Sequence, residues 1–483
     1  MSFSSALKQN WFFWLGLFLI TLLRLRVASQ FGLGVDEAHY ALYGQYLDWS
    51  YFDHPPLVGW TQALFQLLPI NPLVQVRLAA ILIAILTSKL ALDYLLSKNI
   101  PRHLAALSVL ALNLTPMFNA MSIALLPDTL LMPLTFLIIT STENILRATN
   151  LKNWCLLGLW LGLAGLAKYT SVVYILALVL TFAYNKKLKE LLNYRLWIGV
   201  LISFVLIAPI LYWNIQNDFA SFQYQADHVL KIDTQMLSNF ASSVAVQMVS
   251  WGIGPFWAAL ILHVILLRKF KQYPQLQTSL IFASVFLGFF IYVSLAEVLL
   301  PHWMLIYFIL MIPVAYSLIA QNDRWKKLNI LGASFSAVLT LALLFELGFK
   351  LLPAKWMAGA YEGIYGWEEI MSGASEKLNE ISAEKKGLAV MNWTLGSRAM
   401  YYNKTDTPVF VIDSRQDQFD IWMPEAPLNY DLIVVIESRK KDEHTSHLNC
   451  SELTLVGQKT SVLKNVPVNE FLYYHCANFL GYK

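Results

Sequence analysis

The chain has 483 residues, 57% hydrophobic and 14% charged, with a mean hydropathy of +0.51 and a formal net charge of +4. It is too apolar for an ordinary soluble protein and reads as a polytopic membrane protein. The small charge is spread along the chain, so nucleic acid has no support as a partner.

The first apolar run, from Trp11, lacks a small-residue cleavage site and reads as a retained first span. Spans need roughly 20 apolar residues. The candidates lie near 11–30, 73–97, 104–121, 126–146, 154–184, 195–213, 246–267, 277–297, 303–320 and 328–348. Basic clusters mark the cytoplasmic turns: Lys98 with Arg102 and His103, Arg147 with Lys152, Lys186 with Lys187 and Lys189, Arg268 with Lys269 and Lys271, and Arg324 with Lys326 and Lys327. Such clusters flank 154–184 on both sides, so both its ends belong inside. A hairpin of two half-helices, broken at Gly165–Tyr169, meets that condition and puts Lys168 at the outer end. The expectation is about eleven spans, with the amino terminus cytoplasmic and the tail outside.

Between the first two spans runs FGLGVDEAHYALYGQYLDWSYFDHPPLVGW, residues 31–60, which carries Asp36, Glu37, His39, Asp48, Asp53 and His54 among aromatic residues and a double proline. Carboxylates beside a membrane are costly unless solvated or paired, so this loop is a functional candidate. The first loop, the 120–128 turn, the 214–245 segment, the 297–303 turn and Lys168 all fall on the outer face. From about Leu351 the pattern changes to short alternating runs (388–391, 408–413, 431–437, 471–475) and a helical stretch at 373–382, a small α/β domain. Cys450 and Cys476 in this tail can pair if it faces an oxidising compartment, whereas Cys155 reads as a core residue.

Asp36 has the chemistry of a general base, and its alternative role is a first-turn acid favoured by the helix dipole. His54 stands on the stiff segment His54–Pro56, either facing a ligand or leading out of the loop. Asp128 is either functional or a helix N-cap. Lys168 at a helix break can neutralise a phosphate or snorkel to the surface. His302 and Trp303 open a span on the outer side and suit a sugar face or a phosphate. Arg24 and Arg26 break the cytoplasmic pattern; they are phosphate contacts or partners of Asp36 or Glu37. His39 and His54 are possible ligands for a divalent metal, although no tight metal-binding spacing is present. No Walker loop or GxGxxG occurs.

The acidic pair after the first span, the His54–Pro56 end of its loop, Asp128 in the next outer turn, GLAKYT at the broken hairpin and PHW later resemble the GT-C membrane glycosyltransferases. The similarity is to the bacterial family 39/83 group, related to protein O-mannosyltransferases and lipid A aminoarabinose or galacturonic acid transferases; SRAMYY and DSRQDQFDIW in the tail resemble it too. The resemblance implies a GT-C transmembrane domain over 1–350 and a periplasmic α/β domain over 351–483, in a bacterial inner membrane. It implies a polyprenyl-phosphate sugar donor, an acceptor that is a lipid, glycan or protein, and inversion at the anomeric carbon. On this chain, Asp36 is then the base with Glu37 beside it, and Lys168 and Arg24 hold the donor phosphate. Tyr40, His54, Asp128, His302, Trp303 and Arg398 line the substrate cavity, with Arg415 a further contact. The alternatives are a transporter or lipid flippase without transfer chemistry, and a membrane scaffold.

Overall fold

The computed structural model describes residues 11–230, 235–321, 323–423 and 427–482, without the side chains of residues 227–230, 323, 324 and 482. The side chain of Arg324 and residues 231–234 of the outer segment therefore lie outside the described residues.

Six helices are long and apolar enough to cross a membrane: Trp11–Ala28, Pro72–Ser97, Pro127–Arg147, Tyr194–Gln216, Pro274–Ala296 and Trp325–Phe349. Two further segments are bent pairs, Arg102–Asn113 with Pro116–Ile123 at 72° and Met236–Trp251 with Ile253–Arg268 at 115°. Leu151–Ala167, Tyr169–Tyr184 and Leu305–Ile319 are shorter apolar helices. The protein is thus multi-pass, but the expected count of about eleven spans, which took the hairpin as two half-helices, is corrected among the described residues to six, or up to eight with each bent pair taken as one. Residues 246–267, expected as one span, contain the sharp turn at Gly252. Its φ is +86°, and a Cβ there would lie 2.7 Å from the Ser336 hydroxyl, so glycine is required. Leu305–Ile319 is too short to span alone yet buried on every face through Ser317, as a helix enclosed by its neighbours must be.

The hairpin forms as the charge pattern requires. Leu151–Ala167 ends at Lys168, whose extended backbone (φ −156°, ψ 139°) leads into a short 3-10 turn, Tyr169–Val172, and then Val173–Tyr184. Trp154 stacks on Phe182 at 5.8 Å, and the Lys187 ammonium donates to the Leu146 carbonyl, so both arms return to one end. The first arm packs backbone to backbone on Tyr194–Gln216. A Cβ on Gly158 would stand 2.2 Å from the Gly199 carbonyl oxygen.

The first loop is not a loop throughout. It holds two short helices, Val35–Gln45 and Leu57–Gln66, with 46–56 between them. At the carboxy-terminal end, five strands stand in the order β2-β1-β3-β5-β4: β1 Lys386–Val390, β2 Val409–Val411, β3 Asp431–Glu437, β4 Leu448–Leu463 and β5 Val466–Tyr482. β1 pairs in parallel with β2 and β3, and β5 runs antiparallel to β3 and β4. Helices Trp367–Asn379 and Trp393–Tyr402 bury one face of the sheet. Cys450 and Cys476 form a disulfide between β4 and β5, with their Cα atoms 5.4 Å apart. β4 is absent from the expected strands because its residues are mostly exposed or half-exposed, leaving no clean apolar alternation.

Candidate active site

The first helix of the outer loop is locked in place from one side. The Arg77 guanidinium, buried in the Pro72–Ser97 helix, donates to both Glu37 carboxylate oxygens at 2.7 and 2.8 Å and to the carbonyls of Ala28, Phe31 and Gly32 at 2.9 Å. Glu37 also accepts from the Gly34 amide, capping its own helix. A buried bidentate pair with every donor used fixes orientation. Glu37 has both oxygens committed, so its place is that of an anchor beside Asp36. Arg77 went unremarked in the sequence, although a lone arginine in an apolar span is itself a signal.

The opposite face of the same helix carries the reactive groups. Asp36 is half-buried and, among the described residues, accepts no hydrogen bond and joins no ion pair. His39 Nε2 lies 3.8 Å from Asp53 Oδ1, and His54 Nε2 lies 3.9 Å from Asp53 Oδ2. The Tyr43 hydroxyl donates to Asp53, and the Tyr40 ring meets His54 edge-on at 5.6 Å. From the membrane helices, Lys168 donates to both oxygens of Asp128 at 2.8 and 2.7 Å. His302 Nε2 stands 3.7 Å from Asp128, and Trp303 lies 6.0 Å from the Lys168 ammonium. The structure thus draws Asp36, Tyr40, His54, Asp128, Lys168, His302 and Trp303 into one electrostatically connected cluster. His54 Nδ1 is buried there with no partner.

The charges follow from the packing. Burial raises the Asp36 carboxyl above its ordinary value, and Asp53, Glu37 and Asp128 add to the rise while His39 opposes it. Burial also works against ionisation of Asp53, but His54, His39 and the Tyr43 hydroxyl together hold that carboxyl below its ordinary range. Burial lowers His54, with Lys168 adding and Asp53 opposing, and pushes His302 down to about 4. His54 and His302 are therefore neutral at physiological pH beside the ionised Asp53, and the Lys168–Asp128 pair stands at the centre of the cluster.

The carboxy-terminal domain closes over this loop. His39 Nδ1 meets the Ser397 hydroxyl at 3.1 Å, and the Phe52 amide donates to Gln418 at 2.7 Å. Trp393, Phe419 and Trp422 surround the His39 ring, and the Tyr402 hydroxyl accepts from the Leu33 amide at 2.7 Å. Below the cluster, an apolar groove of 520 Å³ runs between the hairpin arms and Tyr194–Gln216, from Trp154 and Phe182 to Tyr169 and Phe222. Tyr169 adjoins Lys168 and meets the Ser50 hydroxyl of the outer loop at 3.3 Å, so the groove ends at the polar cluster.

Three candidate residues stand elsewhere. Arg24 is fully buried between Asn113 and Asn119, at 3.0 and 2.9 Å, and pairs with neither Asp36 nor Glu37. Arg26 lies over the Phe349 ring at 5.1 Å. Arg398 donates to the Thr394 and Gly363 carbonyls and stacks on Trp367 at 4.4 Å, inside its own domain. Arg415, by contrast, reaches the Tyr224 hydroxyl at 3.3 Å at the edge of the cap. Among the described residues, no group of three or more His, Cys, Asp or Glu side chains is arranged to hold a metal ion. His39 and His54 each face Asp53, at 3.8 and 3.9 Å.

Residues 53–213 match the family model described as dolichyl-phosphate-mannose-protein mannosyltransferase. No curated protein sequence matches the chain significantly. Among solved structures, ArnT from Cupriavidus metallidurans bound to undecaprenyl phosphate superposes with a TM-score of 0.66 at 15% identity, covering 97% of this chain and 98% of that one. The apo state of the same protein gives 0.63 at 14% identity, over 95% and 97%. A likeness of that extent along both chains establishes the architecture: this is a multi-pass membrane protein with the GT-C fold.

Proposed function

We propose that the protein transfers a sugar from a polyprenyl-phosphate donor to an acceptor hydroxyl at the outer face of a bacterial inner membrane. The observation that carries this reading is the uncommitted Asp36 carboxylate, clustered with Lys168, His54 and His302 at the head of an apolar groove. A polyprenyl chain lies in the groove, which brings the donor phosphate to Lys168. Asp36 takes the proton of the acceptor hydroxyl as that oxygen attacks the anomeric carbon. The bond from that carbon to the phosphate oxygen breaks, the configuration inverts, and polyprenyl phosphate departs with its charge stabilised by Lys168. His54 and His302, neutral at physiological pH, offer hydrogen bonds to the phosphate without adding charge. Asp128 holds Lys168 in position until the phosphate arrives.

The match to a family named for a dolichyl-phosphate sugar donor supports the donor class, as does the likeness to a protein crystallised with undecaprenyl phosphate. The acceptor is a lipid, glycan or protein presented at the same face. The test is transfer by purified protein from radiolabelled undecaprenyl-phosphate sugars to a cell-envelope extract. Label incorporation by wild type and its loss in well-folded Asp36→Asn support the reading. Equal incorporation by both variants, or lipid movement without incorporation, overturns it.

A further inference from the structure

A space of 910 Å³ opens between the end of the first span, the two outer-loop helices and the Trp367–Asn379 helix of the carboxy-terminal domain. It lies on the far side of Val35–Gln45 from the acidic cluster. Glu37 turns to Arg77 on that side, the Ala41 carbonyl accepts from Gln66, and Gln45 lines the space; Tyr40 and Tyr43 turn to His54 and Asp53 on the other. Yet the two sites share the helix amino terminus. Gly32 borders the cavity, and four residues of chain separate it from Asp36, at most about 14 Å even fully extended.

The lining is mixed in a specific way. Phe31, Tyr365, Tyr401 and Tyr402 supply ring surface, and Gln45 supplies an amide, joined by those of Gln30, Gln66, Asn71 and Gln75, which each make hydrogen bonds to the chain and keep a further donor or acceptor. The charges offset one another: Lys404 is already paired with Glu368, and Lys459 shares the space with Glu369 and Glu376. Rings that cover the apolar face of a pyranose, with amides for its hydroxyls, suit an uncharged glycan. Three carboxylates against two lysines do not suit a phosphate-rich headgroup. We infer that this cavity is a subsite for a neutral oligosaccharide portion of the acceptor, resting on the transferase reading above.

The experiment is saturation-transfer NMR on the detergent-solubilised full chain with linear and branched neutral hexose oligosaccharides of several units, and with a diphosphorylated glucosamine disaccharide. The expected result is binding of at least one neutral oligosaccharide, weakened tenfold or more by Tyr365→Ala and by Glu369→Arg, and unchanged in Asp36→Asn. Glu369 is exposed, so its replacement tests the site even if Tyr365→Ala folds poorly. Binding of none of the neutral glycans, binding indifferent to both variants, or binding of the phosphorylated disaccharide alone overturns the inference. Loss of transfer with glycan binding intact would instead count against the catalytic reading only.

Discussion

Lys168, at the break between two half-helices, gives both of its closest hydrogen bonds to a single carboxylate, that of Asp128 in the first turn of the Pro127–Arg147 helix. The cation proposed to receive a phosphate is thus held by an internal anion, and the pair is nearly buried. Removing one partner of such a pair leaves an uncompensated charge, which costs about 3–5 kcal/mol, whereas removing both costs far less. Lys168→Ala is therefore expected to destabilise the protein, and Lys168→Ala with Asp128→Ala to recover much of that loss. Transfer should stay at least a hundredfold down in both. Chemical unfolding and the labelled-sugar assay, run side by side, separate the two effects.

Asp36 predicts the reverse pattern. It has no partner to lose, so Asp36→Asn is expected to leave stability unchanged or slightly raised. Losing a general base typically lowers rate by about 10²–10⁴-fold. Donor binding, measured with an unreactive polyprenyl phosphate, should persist.

Arg77 and Glu37 should behave as structure. Arg77→Lys keeps the charge but forfeits the bidentate geometry and the carbonyl contacts, so it is expected to act nearly as severely as Arg77→Ala, by about 3–5 kcal/mol. Limited proteolysis of the outer loop reads this directly. A loop as resistant as in wild type would refute the anchoring role.

The acid limb of the pH profile has a defined sign. Asp36 must be ionised to act, and its carboxyl is raised by burial and by its acidic neighbours. Activity should therefore fall with pH from a midpoint above the ordinary aspartate value of about 3.9. Asp53→Asn removes one of those neighbours, and the midpoint is expected to move to lower pH. Stability runs oppositely for the two acids. The depressed Asp53 stabilises the fold above the ordinary aspartate pKa, and this is lost as pH falls through its folded value. The raised Asp36 gains a proton in the folded state, so acidification costs no stability through it.

Much of the membrane architecture was legible because apolar length and basic turns are local signals. Lys168 is the clearest case: the parity of flanking charges required a break there, and the backbone leaves the helix at that residue. The turn at Gly252 was passed over, although Gly252, Gly254 and Pro255 interrupt the apolar run there and mark a break. The sequence placed Asp36, His54, Asp128, Lys168 and His302 on one face, and the fold supplies the contacts among them. Arg24 shows the limit of sidedness as an argument. Its position suggested a phosphate, but its Nε and Nη2 go to two asparagines at the bend between their helices, and its Nη1 is buried with no partner. Ser397 and Gln418 carried no local sign at all, because their relevance lies in contacts to residues 358 and 366 positions away.

Those two separations have a consequence in time. The first loop is synthesised early, whereas the groups that close over His39 and Phe52 follow them by 358 and 366 residues. A chain interrupted anywhere before Ser397 holds the acid, the imidazoles and the lysine but lacks their roof. The cluster is thereby roofed only after most of the chain between Asp36 and Gln418 has been made.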